Sequence, residues 1–207
     1  GAVMRREHLE EIAKVVEEFD LMVLSDEIYS ELTYGGEPHV SIASLPGMKE
    51  RTIVINGFSK TYAMTGWRVG YIMTDEPITN VIAVVHQNVL VSLPEFIQPA
   101  CIEALKFDPA EMRETYRKRR DYIYSRLTGM GLDVTMPEGA FYVFPYIGNF
   151  GMNSLEFCTK MVNEAALAVL PGRFFGNDDY IRISYCYSDE QLREGMDRLE
   201  KFVKSLV

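Results

Sequence analysis

Residues 7–19 set Leu9, Ile12, Ala13, Val16 and Phe19 three and four positions apart, the spacing that gathers side chains on one face of an α-helix. The stretch LMVLSD (21–26) follows, apolar until its last two residues, the texture of a strand covered on both faces. RTIVING (51–57) and RVGYIMTD (68–75) repeat that texture, and helical stretches are expected over about 77–91 and 95–106. Helices alternating with short apolar runs predict an α/β layered domain.

Near Asp108-Pro109 the pattern changes. An amphipathic helix is expected over 109–128, carrying Met112, Tyr116, Ile123 and Leu127 and ended by Gly129-Met130-Gly131. The apolar run FYVFPYI (141–147) comes next, then a helix over about 154–166 opened by an Asn153/Glu156 capping box. YIRISYCY (180–187) predicts a strand. Ser188 and Gln191 then form a second capping box for a last helix, striped by Leu192, Met196, Leu199, Val203 and Leu206. This half reads as a smaller α+β domain, so the expected division is 1–108 and 109–207. There is no internal repeat and no low-complexity linker.

With 207 residues, 47% of them hydrophobic and 25% charged, the chain has the makeup of a globular protein able to bury a core. No apolar run reaches the ~18 residues of a membrane span, and no secretion signal is expected. A net charge of −9 disfavours nucleic acid and anionic membrane as partners, because phosphate binding needs clustered Lys and Arg. RKRR (117–120), the densest basic spot, lies beside Glu111, Glu114 and Asp121 and reads as a solvated helix face. Cys101, Cys158 and Cys186 are scattered, odd in number and without CxxC spacing. They point to small core residues in a reducing, cytoplasmic setting rather than to disulfides or zinc. His8, His39 and His86 are equally dispersed, and no metal ligand is assigned among them.

Polar residues near strand ends carry the candidate chemistry. Asp26 closes the first apolar run, where open α/β sheets place their ligand crevices, and a carboxylate there needs a cation or a donor. Taken alone, Asp26 and Tyr29 fit equally well as an N-cap aspartate and a packed tyrosine. Lys60 follows the second run; parallel neighbouring strands would bring it to the same sheet edge as Asp26. An amine partly withdrawn from water there is a nucleophile suited to capturing an aldehyde. Arg68 opens the third run behind Gly66-Trp67, and its planar fork of donors suits a phosphate dianion. Together the four supply a carboxylate, a phenol, an aldehyde-capturing amine and a phosphate clamp.

SDEIY, SKTYAMTGWRVGY, PEGAFYVFP, PGRFFG and YIRISY occur in the order found in fold-type I pyridoxal-phosphate enzymes. From residue 1 to its end the chain resembles the C-terminal portion of a class I/II aminotransferase. The resemblance implies part of a large domain, a mainly parallel sheet flanked by helices, followed by a small C-terminal α+β domain. It implies pyridoxal 5′-phosphate as cofactor, an amino acid and a 2-oxo acid as substrates, and a homodimer as the full-length protein. Lys60 would bond the cofactor aldehyde as a Schiff base and later shuttle the substrate proton. Asp26 would pair with the pyridine nitrogen, Tyr29 would donate to the phenolic oxygen, and Arg68 would grip the phosphate with Ser59 assisting. Arg182 would hold the substrate α-carboxylate as a bidentate pair.

Two positions depart from the family pattern. Gly57 stands where many relatives carry a phosphate-assisting serine, and Arg173 in PGRFFG stands where small residues are common and is expected to be exposed. In relatives the opening GAV follows Asn-Pro-Thr, so Gly1 resembles the last residue of that motif and the chain resembles a fragment. It is then expected to be a poor catalyst alone and to associate through uncovered strand edges and apolar surface. The same motifs also fit a pyridoxal-phosphate-dependent carbon–sulfur β-lyase or a non-catalytic aminotransferase-like sensor domain.

Overall fold

A computed structural model describes residues 1–206. The chain divides into two compact units, Val3–Glu111 and Met112–Val207, with Gly1–Ala2 belonging to the second. Gly1 joins it because its carbonyl accepts hydrogen bonds from the Glu138 and Gly139 amides at 2.8 and 3.0 Å.

The first unit runs α1 (Arg6–Glu18), β1 (Val23–Asp26), β2 (Thr52–Gly57), β3 (Gly70–Met73), α2 (Glu76–Val89) and α3 (Ile97–Ala104). Its sheet has the order β1-β2-β3. β1 and β2 are parallel, with Asp26 opposite Ile55; β2 and β3 are antiparallel, with Gly57 opposite Gly70. Helix α1 forms over the expected segment and buries Leu9, Ala13 and Val16 against Ile42, Leu45 and Met48, with Val23 of β1 packed on that cluster. Ile12 and Phe19, expected on the same stripe, are 37% and 63% exposed. Phe19 is the helix C-cap, beyond the last turn, so the stripe does not carry it inward.

Coverage of this sheet differs from expectation. The apolar runs suggested strands buried on both faces, yet β1 alternates between half-buried and exposed positions and every residue of β3 is exposed. Paired residues share a face, so Leu24, Ile53, Ile55 and Ile72 lie together, opposite the face on which Val23 meets the α1 cluster. Leu24 is 67% exposed. Hydrophobic runs report that a surface should be covered, not which segment covers it. Helix α2 makes the same point: none of its residues is buried, and Val81, Val84, Val85 and Val89 are exposed.

The second unit holds most of α4 (Ala110–Gly129), then β4 (Tyr142–Val143), α5 (Ser154–Ala165), β5 (Leu170–Pro171), β6 (Ile181–Ser184) and α6 (Asp189–Ser205). Its sheet, in the order β4-β6-β5, is antiparallel. Both expected capping boxes form, Asn153 with Glu156 and Ser188 with Gln191. Each satisfies amide donors that a helix start otherwise leaves without partners. Helix α6 buries Leu192, Met196, Leu199, Phe202 and Val203. Phe157 is fully buried, with the Phe202 ring edge-on at 5.3 Å.

Two expectations about polar residues change here. The RKRR run is not a merely solvated face: Arg117 pairs with Glu114, Arg119 with Asp189 and Arg120 with Asp121, each at 2.7 or 2.8 Å. Cys101 and Cys158 are buried as expected, and desolvation pushes the Cys158 thiol up to about 11, whereas Cys186 is exposed beyond the end of β6. Among the described residues no helix is long and apolar enough to cross a membrane.

Candidate active site

The parallel β1–β2 pair and the antiparallel β2–β3 pair bring three charged side chains to one edge of the first unit's sheet. Asp26 ends β1, Lys60 lies three residues past the end of β2, and Arg68 lies two residues before β3. Arg68 therefore precedes the third strand rather than opening it. An antiparallel return is what brings it back to the edge where the first two strands finish.

Local packing fixes the Lys60 turn. Phe58 and Met64, on either side of it, are buried with Val69, Ile97 and Cys101, and Tyr62 packs on that cluster. The Phe58 carbonyl accepts from the Tyr62 and Met64 amides at 3.3 and 3.2 Å, closing the turn around the lysine. Lys60 Nζ stands 5.8 Å from the centroid of the Tyr29 ring, so amine and phenol share one neighbourhood. Ala63 and Arg68 both adopt left-handed backbone, φ 52° and 55°. Such conformations are costly for residues with a Cβ and tend to cluster at functional sites. Arg68 Nη1 donates to the Thr65 carbonyl at 3.0 Å, and the Thr65 hydroxyl donates to the Ser59 carbonyl at 2.9 Å. The arginine is thereby tied to the segment that carries the lysine.

The charges are unbalanced locally. Asp26 accepts the Ile28 amide at 3.2 Å, and among the described residues no cation pairs with it. Arg68 likewise has no carboxylate partner among them. Opposite charges on one sheet edge, each without a counter-ion among the described residues, suit a ligand carrying both a donor and an anion. Gly57 is required by the backbone: a Cβ there would lie 2.9 Å from Gly70 Cα and 3.1 Å from the Val69 carbonyl oxygen. A serine at 57 would need β3 to move.

One part of this edge is not apparent from motif and spacing. Glu27, next to Asp26, is only 8% exposed. Its carboxylate accepts from Ser41 Oγ at 2.7 Å and Ser25 Oγ at 3.1 Å, and it pairs with His39 Nε2 at 2.9 Å. Burial alone would raise the Glu27 carboxyl; the hydrogen bonds from His39 and Ser41, the His39 charge and the Ser25 bond outweigh it and hold the group below the usual glutamate value. The cluster pins the 39–41 segment to the end of β1. Asn56 Nδ2 donates to Ser30 Oγ at 3.2 Å and adds a tie between β2 and the turn after β1. The signal available in the sequence was the pair of adjacent acids, which a two-residue strand period sends to opposite faces.

Arg182 lies in the second unit, on β6. Its neighbours Ile181 and Ile183 are buried, while Arg182 is half-buried with its guanidinium between two rings, 3.9 Å from the Phe175 centroid and 4.4 Å from that of Tyr142. Among the described residues no carboxylate pairs with it. Arg173 is exposed, as expected, and reaches Asp178 at 3.3 Å.

Residues 1–199 match the family described as Aminotransferase class I and II. The chain is 46% identical over 208 residues to a probable N-acetyl-LL-diaminopimelate aminotransferase of Bacillus subtilis, covering 98% of this chain and 52% of that protein. It is 45% identical over 211 residues to aromatic-amino-acid aminotransferase 2 of Thermococcus litoralis, covering 99% and 54%. Among solved structures, an aromatic aminotransferase from Pyrococcus horikoshii superposes with a TM-score of 0.95 at 44% identity, over 100% of this chain and 58% of that one. An N-succinyldiaminopimelate aminotransferase from Mycobacterium tuberculosis gives 0.92 at 27% identity, over 97% and 55%. The chain thus spans about half the length of the curated relatives it matches. With the fold and nearly every position accounted for, the chain belongs to the class I and II aminotransferases.

Proposed function

We propose that the full-length protein is a pyridoxal 5′-phosphate-dependent aminotransferase that moves an amino group between an amino acid and a 2-oxo acid. The observation that carries this reading is the convergence of Asp26, Lys60 and Arg68 on one sheet edge, the acid and the guanidinium each lacking a counter-ion among the described residues. The donor set fits the cofactor group by group. Lys60 Nζ matches its aldehyde, Asp26 its ring N–H, Tyr29 its phenolic oxygen, and Arg68 its phosphate, with Ser59 beside the arginine's tether. When bound, the cofactor supplies an electron sink that makes the substrate Cα–H acidic.

Asp26 would hold the ring N–H of the cofactor through a charge-assisted hydrogen bond. Lys60 Nζ would hold the cofactor aldehyde and, when free, would serve as the base that takes the proton from the substrate Cα. Arg182 holds the substrate α-carboxylate. The Val3–Glu111 unit is read as the C-terminal part of the cofactor-binding domain and the second unit as the small domain. A homodimer in the reducing cytoplasm completes the proposal, the three free cysteines being in keeping with that compartment.

The test uses the full-length protein loaded with pyridoxal phosphate. Borohydride reduction followed by peptide mass spectrometry should find the pyridoxyl group on Lys60, and Lys60→Ala should lower amino transfer by about 10²–10⁴-fold or more. The present chain alone should show negligible transfer. Modification of a different lysine sinks the reading, as does release of pyruvate and ammonia from cystathionine without any 2-oxo acid and without amino transfer.

A further inference from the structure

Arg182 has no acid to pair with among the described residues, yet it is held on both sides. Tyr142 pairs with Ser184, two residues along β6 from Arg182, so the two side chains stand on the same face of the sheet. The Tyr142 ring is in turn backed by Phe141 at 4.8 Å, and Phe141 by Tyr116 at 5.4 Å. On the other side Phe175 comes from the PGRFFG turn, which the backbone holds shut. The Gly172 amide donates to the Tyr180 carbonyl at 2.8 Å, and the Asn177 amide to the Gly172 carbonyl at 3.2 Å. A Cβ on Gly172 would fall 2.2 Å from the Tyr180 carbonyl oxygen, so only glycine allows this closure. The turn is also fastened to the start of α5: the Arg173 amide donates to Ser154 Oγ at 3.2 Å, and the fully buried Ser154 hydroxyl donates to Asp178.

We propose that Tyr142 and Phe175 are positioning residues that clamp the Arg182 guanidinium between their ring faces and leave its N–H edge open to a substrate carboxylate. This rests on the reading of Arg182 as the carboxylate-binding residue. The chemistry of the pair explains why rings are used. A counter-ion would neutralise Arg182 and have to be displaced at each binding event, whereas a ring face attracts the cation without occupying its donors. Two rings fix the guanidinium plane, so both N–H donors already lie in the plane a carboxylate needs for bidentate binding, and less ordering is left to be done on binding.

The experiment is calorimetric titration of the full-length holoenzyme with 3-phenylpropionate and with succinate, carboxylates that lack the amine and so report binding without turnover. Phe175→Leu and Tyr142→Leu should each weaken binding of the better ligand by about 3- to 30-fold, the range of a partly desolvated cation–π contact. Phe175→Tyr and Tyr142→Phe, which keep a ring, should stay within about 2-fold, and this rescue separates stacking from loss of fold. In steady state the leucine variants should raise KM for the amino donor while kcat falls far less. If both leucine variants bind like the parent while Arg182→Ala abolishes binding, the clamp is refuted and the role of Arg182 stands. If Arg182→Ala binds like the parent, the role of Arg182 fails and the clamp with it.

Discussion

Glu27 shows how much can depend on one buried carboxylate beside an exposed one. It is buried, and two hydroxyls and His39 surround it, so its charge is compensated by bonds that also anchor the 39–41 segment next to Asp26. Because its folded-state affinity for protons is lowered, Glu27 adds stability that is complete above the ordinary glutamate pKa of about 4.3 and lost as pH falls through the folded value. Glu27→Gln should cost about 1–3 kcal/mol at neutral pH, by leaving the donors around it mismatched. The deficit should shrink as the medium is acidified. Denaturant midpoints of parent and variant that stay parallel down to pH 3 would remove Glu27 from the acid transition. Sequence alone made Asp26 conspicuous and marked Glu27 only as its acidic neighbour, since a charged residue beside another is ordinarily solvated. The aromatic clamp was hidden for a different reason. Tyr142 and Phe175 belong to separate motifs, and stacking leaves no periodic trace along a chain.

At the scale of elements, helices were the more legible half. Helix α5 begins where Asn153 and Glu156 announce it, and α6 where Ser188 and Gln191 do, because capping is local chemistry between residues three apart. Strands were legible as runs but not in their surroundings: LMVLSD and RVGYIMTD become β1 and β3, yet neither is covered on both faces. The direction of β3 was equally silent, and that direction is what returns Arg68 to the sheet edge. The β2–β3 pairing tolerates no side chain where Gly57 faces Gly70. Gly57→Ala should therefore destabilise the protein by about 1–3 kcal/mol, the usual cost of forcing a methyl against packed backbone. It should also loosen the Lys60 turn that follows β2. Thermal unfolding checks the first effect, and amide hydrogen exchange over residues 58–68 the second. Unchanged values in both would mean that the two strands separate freely.

For the whole molecule the uncovered apolar surface matters most. Leu24 and Ile72 on the sheet, and Val81, Val84, Val85 and Val89 on α2, are exposed, beyond the scattered apolar residues usual on a monomer's surface. The isolated chain should associate as its concentration rises, and light scattering over a dilution series should show the apparent mass climbing. A constant monomer mass throughout would contradict this. The same bare surface has an electrostatic corollary. At neutral pH a charge of −9 keeps copies apart, and that repulsion vanishes near the isoelectric point of about 4.9. Mildly acidic buffers and high salt should both shorten the shelf life of this polypeptide in solution, one by removing the charge and the other by screening it.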